Sequence, residues 1–255
     1  MLEYSRLIIE AEKAINWIKD YVLSCGADGV VVGNSGGKDS AVVIAMATRA
    51  LGKDKVLTIG MPCNSIKEDL EDAKLVSMTF EVPFLEIDLS DSYNQFERDV
   101  NKSLKSIGKE LNNEAKVNSK PRFRMTTLYS VAQSMNYLVI GTGNLCEQMV
   151  GYTTKWGDSA SDFNPIANFT VREVLAIGKY LGVPDKIISK APSDGLGSKT
   201  DEEKMGVTYD QIEEYIETGK TDPDAMKIIE RKNKVSKHKR MLVPKYYFDR
   251  TNYLS

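Results

Sequence analysis

Histidine occurs once in this chain of 255 residues, at His238. That scarcity excludes a metal centre built from several imidazoles and leaves one residue for any Ser-His-Asp or Cys-His device. Cysteine is almost as rare. Cys25, Cys63 and Cys146 are odd in number and far apart, so neither a disulfide framework nor a zinc site is indicated. No apolar run approaches the roughly 18 residues of a membrane span, and MLEYSRLIIEAEKAINWIKDYVLSC at the N-terminus has the wrong flanks for a signal peptide. These absences indicate a cytoplasmic protein with reduced thiols. A charge excess is lacking too: 34 Lys and Arg against 36 Asp and Glu leave a net charge of -2, with no global pull toward nucleic acid or membrane. The chemistry must therefore run on carboxylates, lysines, arginines and a metal held by oxygen.

What is present is an ordinary soluble composition, 42% hydrophobic and 27% charged, enough for one sizeable core and one domain over 1–255. Apolar residues Leu7, Ala11, Ala14, Ile15, Ile18 and Val22 follow the helical period and predict a first helix ending near Gly26. Strands are expected over 29–33, 56–60 and 84–89, with helices over 39–51 and, from a Ser65/Glu68 capping box, to about Phe80. That alternation implies an α/β fold with a parallel sheet and a ligand at the carboxyl ends of its strands. A polar, helix-like stretch follows over 92–116, Pro121 restarts a helix to about Met135, and YLVIG at 137–141 is another strand. The thirty residues from Gly141 to Thr170 show little periodicity, as a functional loop does. Capping boxes at Thr170/Glu173 and Thr208/Gln211 open two further helices, and KAPSDGLGSKTDEEK between them has the composition of a flexible segment that closes over a substrate. Four aromatic residues in the tail suggest docking on the core or on a second subunit.

The segment VVVGNSGGKDS, from Val30 to Ser40, nearly matches a Walker loop, yet Asp39 follows Gly37-Lys38 and Val32 stands where the first glycine belongs. It is a different device. Gly36 and Gly37 let the backbone approach an anion, Ser35 and Ser40 add hydroxyls, and the following helix points its positive end at the ligand. Asp39 in such a nest calls for Mg²⁺ between it and the phosphates. Glu147, with Thr142 at the end of the YLVIG strand, falls on the same sheet edge and completes an acidic pair for that ion. Arg122 and Arg124 are candidate clamps for an anionic substrate, near Lys155, Asp158 and Asp162 in the long loop. The basic run KIIERKNKVSKHKR reads either as a nucleic-acid patch or as a solvated helix face.

SGGKDS resembles the loop of the N-type ATP pyrophosphatases. KPRFRM, GTGNLCEQMVGYTTKWGDSASDFNP, APSDGL, GVTYDQIEEYI and SKHKR resemble, in order and spacing, the ammonia-dependent NAD⁺ synthetases within that superfamily. The resemblance implies a doubly wound, mostly parallel, Rossmann-like sheet of the adenine nucleotide alpha hydrolase type. It implies that deamido-NAD⁺ is adenylated by ATP, with loss of pyrophosphate, and that ammonia then displaces AMP. Gly33, Asn34, Ser35, Gly36, Gly37, Lys38, Asp39, Ser40, Thr142 and Ser193 would bind ATP, with Ser193 standing where the family usually has threonine. Asp39 and Glu147 would hold Mg²⁺. Arg122, Lys155, Asp162, His238 and Lys239 would contact deamido-NAD⁺, making the basic run part of a dinucleotide site, and Asp39, Lys155 and Asp162 would be closest to the chemistry. Where the family commonly places a lysine, this chain has Val171, which leaves Arg172 or Lys199 as substitutes. A homodimer, with no nucleic acid or membrane partner, is implied. Two alternatives remain, a tRNA- or GMP-type ligase of the same superfamily and a non-catalytic ATP-binding stress-type module.

Overall fold

The computed structural model describes residues 3–190 and 200–248. Helix α1 (Tyr4–Ser24) buries Leu7, Ala11, Ile15, Ile18 and Val22 along one stripe, as its period predicts. Gly26, in the left-handed region at φ 65°, turns the chain into β1 (Gly29–Gly33). Helix α2 (Lys38–Leu51), β2 (Val56–Gly60), α3 (Lys67–Thr79) and β3 (Phe84–Glu86) follow. Then come α4 (Ser90–Lys105), α5 (Asn113–Ser134) and β4 (Tyr137–Val139). All strand pairs are parallel, in the order β3-β2-β1-β4, with Val31 opposite Leu57 on one side and Val139 on the other.

Alternation along β1 divides the core. Val30 and Val32 face α1 and α2, whereas Val31 faces Leu128, Met125 and Tyr93 of α4 and α5. The sheet is thus covered on both faces, the doubly wound arrangement expected. After β1 the chain runs outward through β2 to β3, then returns to place β4 on the opposite flank of β1. The resulting crevice between the carboxyl ends of β1 and β4 is where such sheets bind ligands.

The remaining helices are α6 (Leu145–Val150), α7 (Val171–Tyr180), α8 (Asp185–Ile188), α9 (Asp201–Met205), α10 (Tyr209–Thr218), α11 (Pro223–Val235) and α12 (Lys237–Arg240). Cys146, Val171, Met205, Ile212 and Ile229 form a separate apolar cluster among them, which fixes this helical layer beside the crevice.

Several local expectations change. Ser65 does not cap α3: its hydroxyl accepts from the backbone of Cys63 and from Arg124, and Ile66 occupies the cap position without a side-chain bond. Pro121 lies inside α5 rather than starting it, because Asn112 caps that helix nine residues earlier by accepting from Ala115 N. The third strand stops at Glu86. The long segment after β4 contains α6, opened by an Asn144/Glu147 capping box. Of the stretch 190–204, residues 191–199 lie outside the described residues, and its last part enters α9, opened by Thr200 and Glu203. Tail residues Leu242, Tyr246 and Tyr247 are 84–93% exposed and so are not docked on the core of this chain.

Candidate active site

The loop after β1 is held from below by Asn34, whose amide donates to Ala73 O and Ser77 Oγ of α3 and whose carbonyl accepts Gly36 N. Gly36 has φ 73°, and a methyl there would come within 2.5 Å of Asp69 O and 2.8 Å of Asp72 Cβ. The loop backbone therefore rests directly on α3. Ser35 and Ser40 hydroxyls lie 3.1 Å apart, Ser35 Oγ accepts Gly37 N, and Ser40 donates to Gly37 O. With Gly37 as the cap of α2, the loop places two hydroxyls at the head of a 14-residue helix, its Gly36 and Gly37 amides being engaged by Asn34 and Ser35.

Asp39, in the first turn of α2, accepts from Asn144 at 3.2 Å. The Asn144 backbone N–H donates to Glu147 Oε2 while its side-chain oxygen accepts Glu147 N, so one buried residue ties the two carboxylates that the sequence pairs. Burial and then the charge of Asp39 push the Glu147 carboxyl well above the usual carboxylate range, while Lys38 opposes them. Lys38 ends 3.0 Å from Asp39 Oδ2, with only 8% of its side chain exposed, over the ring of Tyr209. Burial lowers its pKa, but Asp39 and Glu147 outweigh that and hold it raised. Lys38 is thus turned toward the carboxylates. Asn144 and Tyr209 escaped sequence reasoning, although Asn-x-x-Glu at 144–147 carried the capping signature that identifies the first. Thr142 lies between β4 and the Asn144 cap, on the same edge as the loop. Ser193 and Lys199 lie outside the described residues.

The second group of candidate residues divides. Arg122 donates to Lys155 O at 3.2 Å, which brings α5 against the long loop, and Lys155 Nζ lies 5.4 Å from the Trp156 ring centroid. Arg124 instead donates to Met61 O and Ser65 Oγ, fastening α5 to the end of β2. Asp162 accepts from Val139 N at 2.7 Å and from Tyr129 at 3.2 Å, so it holds its loop along β4. Burial, then Asp162, raise the Tyr129 hydroxyl to about 12. Lys239 donates to Gly151 O and Thr153 O beyond the end of α6, and exposed His238 lines a cavity of about 270 Å³ with Arg231, Lys232 and Lys239. Burial lowers the Lys239 pKa. A larger cavity of about 780 Å³, walled by Trp17, Leu145, Asn164, Phe169 and Ile216, shares no residue with the phosphate loop.

Under the loop, Asp72 of α3 is 0% exposed and pairs with Lys186 and Lys190, each at 2.6 Å; Lys190 also reaches Asp69 at 2.9 Å. Burial opposes ionisation of Asp72, yet the two lysines outweigh it and hold the carboxyl below its ordinary range. A depressed native pKa contributes stability that is fully present above the unfolded value of about 4 and is lost as pH falls through the native value. Melting profiles between pH 7 and 3 should therefore be flatter for Asp72→Asn than for the parent; parallel profiles would remove this ion group from the acid response.

The model of the family described as NAD synthase matches residues 10–251. The chain belongs to the NAD synthase family. Among curated NAD synthases, the NH₃-dependent NAD⁺ synthetase of Carboxydothermus hydrogenoformans is 41% identical over 234 residues, covering 91% of this chain and 95% of the relative. That of Thermococcus sibiricus is 43% identical over 84% of this chain and 81% of its own. Among solved structures, the NMN synthetase of Francisella tularensis matches with a TM-score of 0.89 and 33% identity, covering 97% of this chain and all of that one. The NH₃-dependent NAD synthetase of Campylobacter jejuni matches with a TM-score of 0.78 and 27% identity, over 96% of this chain and all of that one.

Proposed function

We propose that this chain is an ammonia-dependent NAD⁺ synthetase, a ligase that forms the amide of NAD⁺ from deamido-NAD⁺ and ammonia at the expense of ATP. The observation carrying the proposal is the convergence of the Ser35–Ser40 loop with the Asp39–Asn144–Glu147 group at the β1/β4 crevice, in a chain 41% identical to such a synthetase. A carboxylate is a poor electrophile. Attack of the nicotinate carboxylate on the α phosphorus expels pyrophosphate and gives it AMP as a leaving group, which ammonia then displaces. That route needs positioned phosphates rather than a protein nucleophile. The loop backbone, the Ser35 and Ser40 hydroxyls and the α2 N-terminus hold the pyrophosphate portion, and Arg122, Lys155, His238 and Lys239 surround the acceptor.

The carboxylate pair fits Mg²⁺: burial and the proximity of Asp39 disfavour the ionised form of Glu147, a penalty that a divalent cation between them would relieve. When bound, the metal neutralises phosphate charge. Among the described residues no helix is long and apolar enough to cross a membrane, and the reaction is assigned to the cytoplasm. Tyr4, Ile9, Trp17 and Leu23 of α1 are 43–58% exposed, an apolar surface that fits a homodimer. Sedimentation as a monomer at micromolar concentration would contradict that assembly.

The assay is incubation with ATP, Mg²⁺, ammonium and deamido-NAD⁺, following AMP and NAD⁺; a folded preparation that yields neither contradicts the proposal. The similarity to an NMN synthetase across 97% of the chain favours a second acceptor, nicotinate mononucleotide, to be run in parallel. Greater kcat/KM with the mononucleotide would reassign the product while leaving the chemistry intact. Lys155→Ala should raise KM for the acceptor about tenfold, the loss of one charge-assisted contact, with KM for ATP unchanged. The reverse pattern would move Lys155 to the nucleotide side.

A further inference from the structure

The cations around the phosphate loop are unequally available. Lys38 is turned onto Asp39 with 8% of its side chain exposed. Position 171, at the head of α7, is a buried valine, and Arg172 beside it is held by Asp210 at 3.0 Å and Glu213 at 2.9 Å. The ammonium groups of Lys186 and Lys190 end on Asp72, whose Cβ lies 2.8 Å from where a Gly36 methyl would be. They are therefore delivered to the underside of the loop, two side-chain links from its tightest residue.

We propose that Lys190 is the cation that meets the ATP polyphosphate at this loop, and that Asp72 is its positioning residue. The two halves of its ion pairing differ in character. Asp72 is wholly buried and grips Lys190 at 2.6 Å, while Asp69 is a quarter exposed and holds it at 2.9 Å. An arriving polyphosphate takes over the share held by Asp69 without removing the lysine from Asp72, so the ammonium needs little reorientation. Lys186 supplies a second charge to Asp72, so the buried carboxylate keeps a counterion while Lys190 turns toward the ligand. Before binding, the four charges Asp69, Asp72, Lys186 and Lys190 balance. A dianionic or more highly charged ligand is the natural complement once one lysine is shared.

The inference rests on the ATP-dependent reading above, and direct titration separates the two. ATP binding by calorimetry should weaken roughly tenfold to a hundredfold in Lys190→Met, the cost of one charge-assisted hydrogen bond. Lys190→Arg should recover most of the loss in binding and most of any loss in melting temperature, and acceptor KM should stay near the parent value. Asp72→Asn should weaken ATP binding to a smaller degree. Lys190→Met binding ATP within twofold of the parent overturns the inference, as does a binding loss that appears only together with unfolding and is not recovered by arginine. A parent protein that binds ATP through Lys190 but makes no amide contradicts the proposed function while leaving this assignment standing.

Discussion

In an Asp39→Asn variant, release of pyrophosphate from ATP should fall by about 10²–10³-fold, the scale on which one preorganised electrostatic group acts. Asparagine keeps the shape and an oxygen for Asn144, now 3.2 Å away, so the cap of α6 survives. What disappears is the charge. Lys38 then retains Glu147 as its carboxylate neighbour, and removing Asp39 relieves the repulsion that adds to burial in holding the Glu147 carboxyl high. The stability cost is therefore modest, and the effect should be concentrated in metal and phosphate handling. Two measurements separate these: Mn²⁺ titration of the protein without nucleotide should show weakened binding, and the melting temperature should move little. Unchanged adenylation would show that Asp39 does not hold the metal.

Features governed by neighbours in the chain were legible before the fold was known. The strand, glycines and helix head of the Ser35–Ser40 loop, and the capping boxes at Thr170 and Thr208, depend on bonds spanning two to five residues and appear as read. Where a distant partner competes, the local rule fails. Ser65 has the spacing of a cap to Glu68, but Arg124, 59 residues away, takes its hydroxyl. Arg122 and Arg124 look alike in KPRFRM, yet two residues apart on α5 they leave the helix about 200° apart, one toward the Lys155 loop and the other toward Met61. Asp162 reads as a substrate ligand by resemblance, and only the fold shows that its carboxylate also fastens the edge of β4. The Asp72 group could not be read at all, since Lys186 and Lys190 are more than a hundred residues from it in the chain.

Gly36→Ala should be among the most damaging single substitutions in the chain. The added methyl meets backbone, Asp69 O at 2.5 Å and Ala73 N at 3.0 Å, as well as Asp72 Cβ, none of them the movable end of a side chain. Left-handed strain of about 1–2 kcal/mol and overpacking of about 1–3 kcal/mol together come to about 2–5 kcal/mol. Gly206→Ala isolates the first part, because Gly206 shares φ 73° but has nothing within 4 Å of its missing methyl. In urea denaturation the Gly36 variant should lose more stability than the Gly206 variant by the overpacking contribution. Relief of the clash requires the loop to lift from α3, which displaces the Gly36 and Gly37 amides from the anion nest and separates the nest from Asp72. ATP binding should therefore weaken in the Gly36 variant and remain intact in the Gly206 variant. Equal losses of stability in both, with ATP binding retained, would show that the loop does not depend on α3 for its shape.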